Sequence, residues 1–419
     1  MKVLSLHLIN FRGIAELRVD FTERTTAFVG INGVGKSAIL DALAIALSQL
    51  IWRINGNPQK ARPIALDDIR QGTEFARISM TVHLRGREVQ WAITKNRKAG
   101  QNADPLRKSA LDALNEAAKK LVDLWDHVES DRFELFDLPL AVYYDVNRAV
   151  LDIPIRVREQ LLNNPYEAYR DALDHGGADF KRFFIWFRNQ EDFENEQRRD
   201  HPEFRDLGLE AVRTAVEVFT GFRELRIRRT PLRMTVVKQE LELNVALLSD
   251  GERNMLALVG DMARRLRLLN PSLVNPNEGQ GVVLIDEIDL HLHPGWQRSV
   301  ASSLERTFPN CQFIITTHSP QVVSELVEES VYLLRDGQGL GHPQASYGLT
   351  SSHVLEEVME SRARPAPVES KLAAVFESIE RSELIKAKAQ LKELREAAPG
   401  IPELLGAEAL LRRKEVLGR

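Results

Sequence analysis

Thr25-Thr26-Ala27-Phe28-Val29-Gly30-Ile31-Asn32-Gly33-Val34-Gly35-Lys36-Ser37 decides the fold. Thr25 to Val29 read as a strand. A glycine-rich turn follows at once, and Ile39, Leu40, Leu43, Ala44 and Leu47 then recur at helical spacing in a buried helix over Ser37 to Leu50. The turn fits G-x-x-x-x-G-K-[ST] in the strand–turn–helix context that this phosphate loop requires. Its glycines let backbone N–H groups of Asn32, Gly33, Val34, Gly35 and Ala38 curl around phosphate oxygens, and the helix aims its positive end at the same anion. Lys36 is expected to reach the β- and γ-phosphates and Ser37 to ligate Mg²⁺, so ATP and Mg²⁺ are the expected ligands.

Three further motifs follow along the chain. Val282-Val283-Leu284-Ile285 reads as a buried parallel strand, and Asp286 and Glu287 stand at its C-terminal end, where open α/β sheets bind ligands. Asp286 is expected to hold Mg²⁺ through water, and Glu287 to orient or deprotonate an attacking water. A solvated acidic turn is the plain alternative. Leu248-Ser249-Asp250-Gly251-Glu252-Arg253 opens a helix with the Ser-x-x-Glu capping box. A capped helix start with a glycine beside it is also an anion site, so the two readings are compatible. Ile314-Ile315-Thr316-Thr317-His318-Ser319-Pro320 ends an apolar strand in a histidine. A neutral imidazole there can touch a γ-phosphate, although a lone histidine at a strand end is often structural.

Composition bounds the rest. The 419 residues are 43% hydrophobic and carry a net charge of −4, which excludes a globally basic nucleic-acid binder. The lone Cys311 excludes an internal disulfide framework and a thiolate zinc finger, and suits a reducing cytoplasm. The start, Met1 to Leu8, alternates as a strand with Leu4, Leu6 and Leu8 on one face, not as a signal peptide. The longest apolar run, Ala42 to Leu47, is far short of the ~20 residues that span a bilayer, so no membrane partner is expected.

Between these motifs lie strands at Leu138 to Tyr144, Glu224 to Arg229, Met234 to Gln239 and Leu241 to Val245. A helical, charged and aromatic stretch from Arg158 to about Arg199 reads as a solvated arm with one apolar seam. Val354 to Arg419 is mostly helical. The expected organisation is residues 1–99 and 207–345 as two parts of one head, 100–206 as a mostly helical insertion, and 346–419 as a helical extension.

The four motifs in this order resemble the ABC-type ATPases of the SMC and RecF branch, as does the opening Asn10-Phe11-Arg12-Gly13. The resemblance implies an α/β fold: an ABC-type P-loop head with a mixed sheet. It implies a head-to-head dimer, or a higher oligomer, in which Ser249 and Gly251 act on ATP bound by the partner. Arg12 and Asp289 join the nucleotide-contacting residues, with Asp289 as the D-loop carboxylate. Asp250 and Glu252 depart from the LSGGQ of transporters, which favours the soluble branch.

Tyr143-Tyr144-x-x-Asn147-Arg148, the arm Phe183 to Glu196, and Leu284 to Pro294 resemble the PtuA ATPases of Septu anti-phage systems and some retrons. That resemblance implies a separate HNH nuclease subunit as partner. Asn147 falls near where a Q-loop residue is expected. OLD-type relatives append a Toprim nuclease, but the residues after Pro320 hold a single aspartate, Asp336, and no cysteine, so neither a Toprim nor an HNH site fits.

His291 and His293 could ligate metal, but they fall in the turn before Pro294 with no ligand cluster evident. Arg223, Arg226, Arg228, Arg229 and Arg233 could touch DNA or RNA, or simply form one charged face. Leu372, Val375, Phe376 and Ile379, continued by Leu384, Leu391 and Leu394, form an apolar stripe that packs on the head or docks a partner. Two functions stand side by side: the ATPase and sensor subunit of a defence complex that controls a separate nuclease, and a RecF-like DNA repair ATPase that clamps DNA.

Overall fold

The structure is a computed structural model and describes residues 1–55, 61–98, 104–126, 137–146, 165–174, 180–362 and 364–417. Asn147 and Arg148 lie outside the described residues, as does the stretch of the expected arm before residue 165. The chain divides into two compact units, Met1–Leu349 and Thr350–Arg419.

In the first unit, β1 (Lys2–Phe11), β2 (Ile14–Asp20), β3 (Thr25–Val29) and helix α1 (Lys36–Asn55) lead to β4 (Phe75–Leu84) and β5 (Arg87–Asn96). Then come α2 (Asp112–Asp126), β6 (Leu140–Tyr144), α3 (Pro165–Tyr169), α4 (Phe180–Asp200) and α5 (Leu207–Thr220). The three strands β7 (Arg223–Arg229), β8 (Leu232–Lys238) and β9 (Leu241–Asn244) precede α6 (Asp250–Leu269). The unit finishes with β10 (Gly281–Ile285), α7 (Pro294–Thr307), β11 (Cys311–Thr317), α8 (Pro320–Val323), β12 (Val331–Arg335) and β13 (Gln338–Gly341).

The central sheet has the order β13-β12-β3-β11-β10-β6. All its strands are parallel except β13, which pairs antiparallel with β12. An antiparallel sheet β2-β1-β4-β5 and the small sheet β7-β8-β9 complete the α/β architecture. The mixed sheet and flanking helices are those expected of a P-loop head. Strand β6 lies within the stretch 100–206 yet pairs with β10, so that stretch supplies a core strand as well as helices.

Two details depart from the sequence reading. Val3, Leu6 and Leu8 face the core while Leu4 does not, because the β1–β4 register shifts between Val3 and Ser5 and flips the side-chain alternation. The charged arm is not a solvated one: Phe180, Phe183, Phe184, Ile185, Trp186 and Phe187 of α4 are buried. Phe183 reaches the backbone of α6 at Gly260, where an added Cβ would lie 2.6 Å from its ring. Glycine is required there because the aromatic ring occupies the space of a side chain.

Helix α1 is apolar and long enough to cross a membrane by composition, but 78% of its apolar window is buried inside the protein. It is the core helix behind the central sheet.

The second unit contains α9 (Ser351–His353), α10 (Ala366–Glu380), α11 (Leu384–Ala397) and α12 (Glu403–Leu417). Val375, Ile379, Ala387, Leu391, Leu394, Leu404, Ala407 and Leu411 form its core, with Leu372 and Phe376 packed against them. Most of the expected stripe is therefore packed within the bundle, with Leu372 and Phe376 half-buried and Leu384 outside this core. Its occupant is α12, which the periodicity of α10 and α11 alone could not name.

Candidate nucleotide site

Sheet register assembles the site. Val29 pairs with Thr317, Ile315 with Ile285, and Ile285 with Tyr144, so β3, β11, β10 and β6 end at one edge. The glycine-rich turn, His318, and Asp286 with Glu287 are the residues that follow those ends. This is the edge at which parallel α/β sheets bind ligands.

In the turn, Gly33 and Gly35 take φ of +83° and +103°, the left-handed region that favours glycine. Gly30 is needed for a different reason: an added Cβ would lie 2.4 Å from the Leu334 carbonyl oxygen of β12. Lys36 folds back to donate to the carbonyls of Gly30 at 2.8 Å and Ile31 at 3.1 Å. Burial pushes its ammonium pKa down, while the charges of Asp286, Glu287 and Asp289 push it up, for a net lowering. Val34 and Ala38 are buried and anchor the turn, whereas Asn32 and Ser37 are exposed.

Asp286 is buried, and its N–H bonds the Tyr144 carbonyl at 2.9 Å. The Thr316 hydroxyl donates to Asp286 Oδ1 at 2.5 Å and accepts from the Glu287 N–H at 2.7 Å. Glu287 takes φ of +46°, which turns the chain sharply after β10. Thr317 donates to Asp289 Oδ1 at 2.5 Å, and the His318 N–H reaches the same oxygen at 3.3 Å. Burial first, then Lys36, lowers the pKa of His318 against the opposing pull of Asp289, Glu287 and Asp286. At neutral pH its imidazole is neutral. Lys36, Asp286, Glu287, Asp289 and His318 thus feel one another within a single site.

The Ser249 capping box is formed as expected. Glu252 Oε2 accepts from the Ser249 N–H and hydroxyl, and Lys238 bonds Glu252 Oε1 at 2.5 Å. Gly251 packs on the turn after β10, where an added Cβ would lie 2.5 Å from the His291 carbonyl oxygen. Ser249 itself is exposed.

The Arg12 guanidinium bonds Asp68 at 2.8 Å and Asp41 at 2.5 Å. Burial works against its charge, but these two carboxylates outweigh it and raise its pKa. Arg62 bonds the other oxygen of Asp41 at 2.8 Å. Two arginines thereby share one carboxylate of the helix that follows the glycine-rich turn. Asp41, Arg62, Asp68, Thr316 and Thr317 were not singled out in the sequence. Only the Thr-Thr pair gave a signal, two hydroxyls interrupting an apolar strand just before a histidine.

His293 caps α7, its ring accepting from the Gly295 N–H at 3.3 Å. Among the described residues there is no group of three or more His, Cys, Asp or Glu side chains placed to hold a metal ion. In the basic run, Arg223 pairs with Glu240, Arg226 with Glu224, Arg228 with Glu242, and Arg229 with Glu191 and Asp192.

For Mg²⁺ the donor set is apt. An exposed serine hydroxyl at a helix start and a buried carboxylate at a strand end supply the hard oxygens the ion prefers, beside a turn shaped for phosphate.

Residues 25–324 match the family described as "AAA domain, putative AbiEii toxin, Type IV TA system". The chain belongs to this AAA_21 family. The matched range runs from the first residue of β3 past His318, so it takes in the site above apart from Arg12. The chain is 32% identical to "Retron Ec83 probable ATPase" of Escherichia coli, over 87% of this chain and 77% of that one. It is 30% identical to "Retron Vc95 probable ATPase" of Vibrio cholerae serotype O1 biovar El Tor, over 80% and 74% of the two chains. It is 23% identical to "Septu protein PtuA" of Bacillus thuringiensis, over 90% and 88%. The retron and Septu proteins are the kind of relatives to which the PtuA-like motifs pointed.

Proposed function

We propose that this AAA_21 protein binds and hydrolyses ATP and serves as the ATPase subunit of a cytoplasmic anti-phage defence complex, controlling a separate HNH-type nuclease. The observation that carries the ATPase reading is the convergence of Lys36, Asp286, Glu287, Asp289 and His318 on one edge of the central sheet. The retron and Septu relatives support the defence role.

In this reading Lys36 leaves the Gly30 and Ile31 carbonyls to meet the β- and γ-phosphates. Ser37 and Asp286 hold Mg²⁺, which neutralises phosphate charge when bound. Glu287 takes the proton of the attacking water. Neutral His318 contacts the γ-phosphate without adding a further cation beside Lys36. Arg12 meets the nucleotide from its seat on Asp41 and Asp68.

Ser249 and Gly251 complete the site of a second copy in a head-to-head dimer. The exposed Ser249 at a helix N-terminus suits that role. No nuclease chemistry is assigned to this chain, so cutting falls to the partner. The alternative of a DNA clamp is less favoured, because the carboxylates paired with Arg223, Arg226, Arg228 and Arg229 cancel the positive field a phosphate backbone would need.

Mixing protomers tests the composite site. Lys36→Ala and Ser249→Arg should each abolish hydrolysis, and a heterodimer of the two should regain some, since one site has an intact Lys36 and an intact partner Ser249. No recovery in verified heterodimers overturns catalysis across the dimer. Copurification from the native operon, with mass determination of the complex, tests the nuclease partner. Isolation of the ATPase alone, with activity stimulated by DNA, would favour the clamp.

A further inference from the structure

Thr316 reaches three consecutive residues of the turn after β10. Its hydroxyl hydrogen goes to Asp286 Oδ1 at 2.5 Å, its hydroxyl oxygen takes the Glu287 N–H at 2.7 Å, and its carbonyl takes the Ile288 N–H at 3.0 Å. A hydroxyl has one hydrogen to give and lone pairs to receive, so both side-chain bonds form together. The side chain is fully buried, and water does not compete for either bond.

The turn needs such a clamp. Glu287 sits at φ +46°, a conformation that costs free energy for a residue with a Cβ and persists only where surrounding bonds hold it. Asp286 and Glu287 are neighbours in sequence with different assigned tasks, one toward the metal and one toward water. Their relative orientation is set by this turn. Thr317 repeats the device one residue on, donating to Asp289 Oδ1 at 2.5 Å while accepting from the Ser319 N–H at 3.0 Å.

We infer that Thr316 is a positioning residue for hydrolysis: its hydroxyl fixes the Asp286 carboxylate toward the metal site and locks the backbone that aims Glu287. The inference rests on the ATPase reading above. Because β11 runs on from Thr316 and Thr317 into His318, the same strand end positions the carboxylates and the histidine together. Thr316 acts through Asp286 and Glu287, the residues its hydroxyl bonds.

The test compares the full-length protein with Thr316→Val, which keeps the β-branched shape and the backbone carbonyl, and with Thr316→Ser, which restores the hydroxyl. ATP affinity is measured with EDTA and with Mg²⁺, and phosphate release is followed across a Mg²⁺ titration. Thr316→Val should bind ATP as the wild type does in EDTA. Its Mg²⁺ requirement should rise and its kcat fall, each by about 10- to 100-fold, the usual cost of losing a partner that orients a metal ligand. Thr316→Ser should recover most of both. Wild-type Mg²⁺ dependence and kcat in Thr316→Val overturn the inference, as does equal loss in the valine and serine variants. If the wild type releases no phosphate, the ATPase reading falls, and Thr316 is then judged on Mg²⁺-dependent nucleotide affinity alone.

Discussion

Gly251 and His291 meet so closely that a methyl group on Gly251 would lie 2.5 Å from the His291 carbonyl oxygen. The start of α6 therefore packs directly on the turn that follows Asp286 and Glu287. From that turn Leu292 accepts a hydrogen bond from Gln297, which in turn accepts one from the hydroxyl of Ser319, beside His318. Gly251→Ala should push the two backbones apart. A displacement of about 1 Å at a reacting centre costs on the order of 100-fold in rate. Turnover should fall by that order, while ATP binding by Lys36 in the same protomer stays unchanged. Steady-state hydrolysis beside equilibrium nucleotide binding checks this.

Asp261 lies fully buried between Arg264 and Arg265, and it also accepts from the Tyr144 hydroxyl at 2.9 Å. Burial alone would raise its pKa, but the two arginines outweigh burial and lower it, so the carboxylate stays charged. Removing one member of a buried charge set strands the others, at a cost of about 3–5 kcal/mol. Asp261→Ala should destabilise the head by that order in denaturant unfolding, with Asp261→Asn milder.

His318 should give the head a pH response. Burial and Lys36 depress its pKa below the ordinary value of 6.5. Below that value the unfolded chain binds the proton more readily than the folded one, so stability is full above it and falls as pH drops toward the folded pKa. His318→Gln should flatten this part of the stability curve. Denaturation midpoints of the two proteins, followed from pH 8 down to pH 5, provide the comparison (roughly the range over which a histidine titrates).

The bundle formed by α10, α11 and α12 carries its own apolar core, including Val375, Leu391, Leu394 and Leu404. Deleting residues 350–419 should leave a folded head that binds nucleotide as before. If the bundle serves assembly, light scattering of the shortened protein will show a smaller particle, and a pull-down will show weaker nuclease capture. An insoluble shortened protein would refute the independence of the two units.

Much of the site was legible because its chemistry lives at strand ends. Gly30 to Ser37, Asp286 with Glu287, and His318 each break an apolar strand with residues whose backbone freedom or charge has few other uses. Sheet register then converts three distant motifs into neighbours. Periodicity fails where it marks a buried face without naming what covers it. Phe183 looked like part of an arm, but its partner is the backbone of Gly260, and the stripe of α10 and α11 found its cover in α12. The Arg12–Asp41–Arg62 bridge was invisible for a related reason, since single charges scattered over fifty positions show no pattern until the fold collects them. Thr316 stood beside a recognised motif, and only its two hydrogen bonds reveal its task.

The central claim is that Glu287 activates water at a site that binds ATP through Lys36. Phosphate release and nucleotide retention, measured side by side on the wild type, Lys36→Ala and Glu287→Gln, test it most directly. Lys36→Ala should retain no ATP. Glu287→Gln should retain ATP as the wild type does and release phosphate at least about 100-fold more slowly, the usual contribution of a general base. Phosphate release by Glu287→Gln at the wild-type rate would contradict the account.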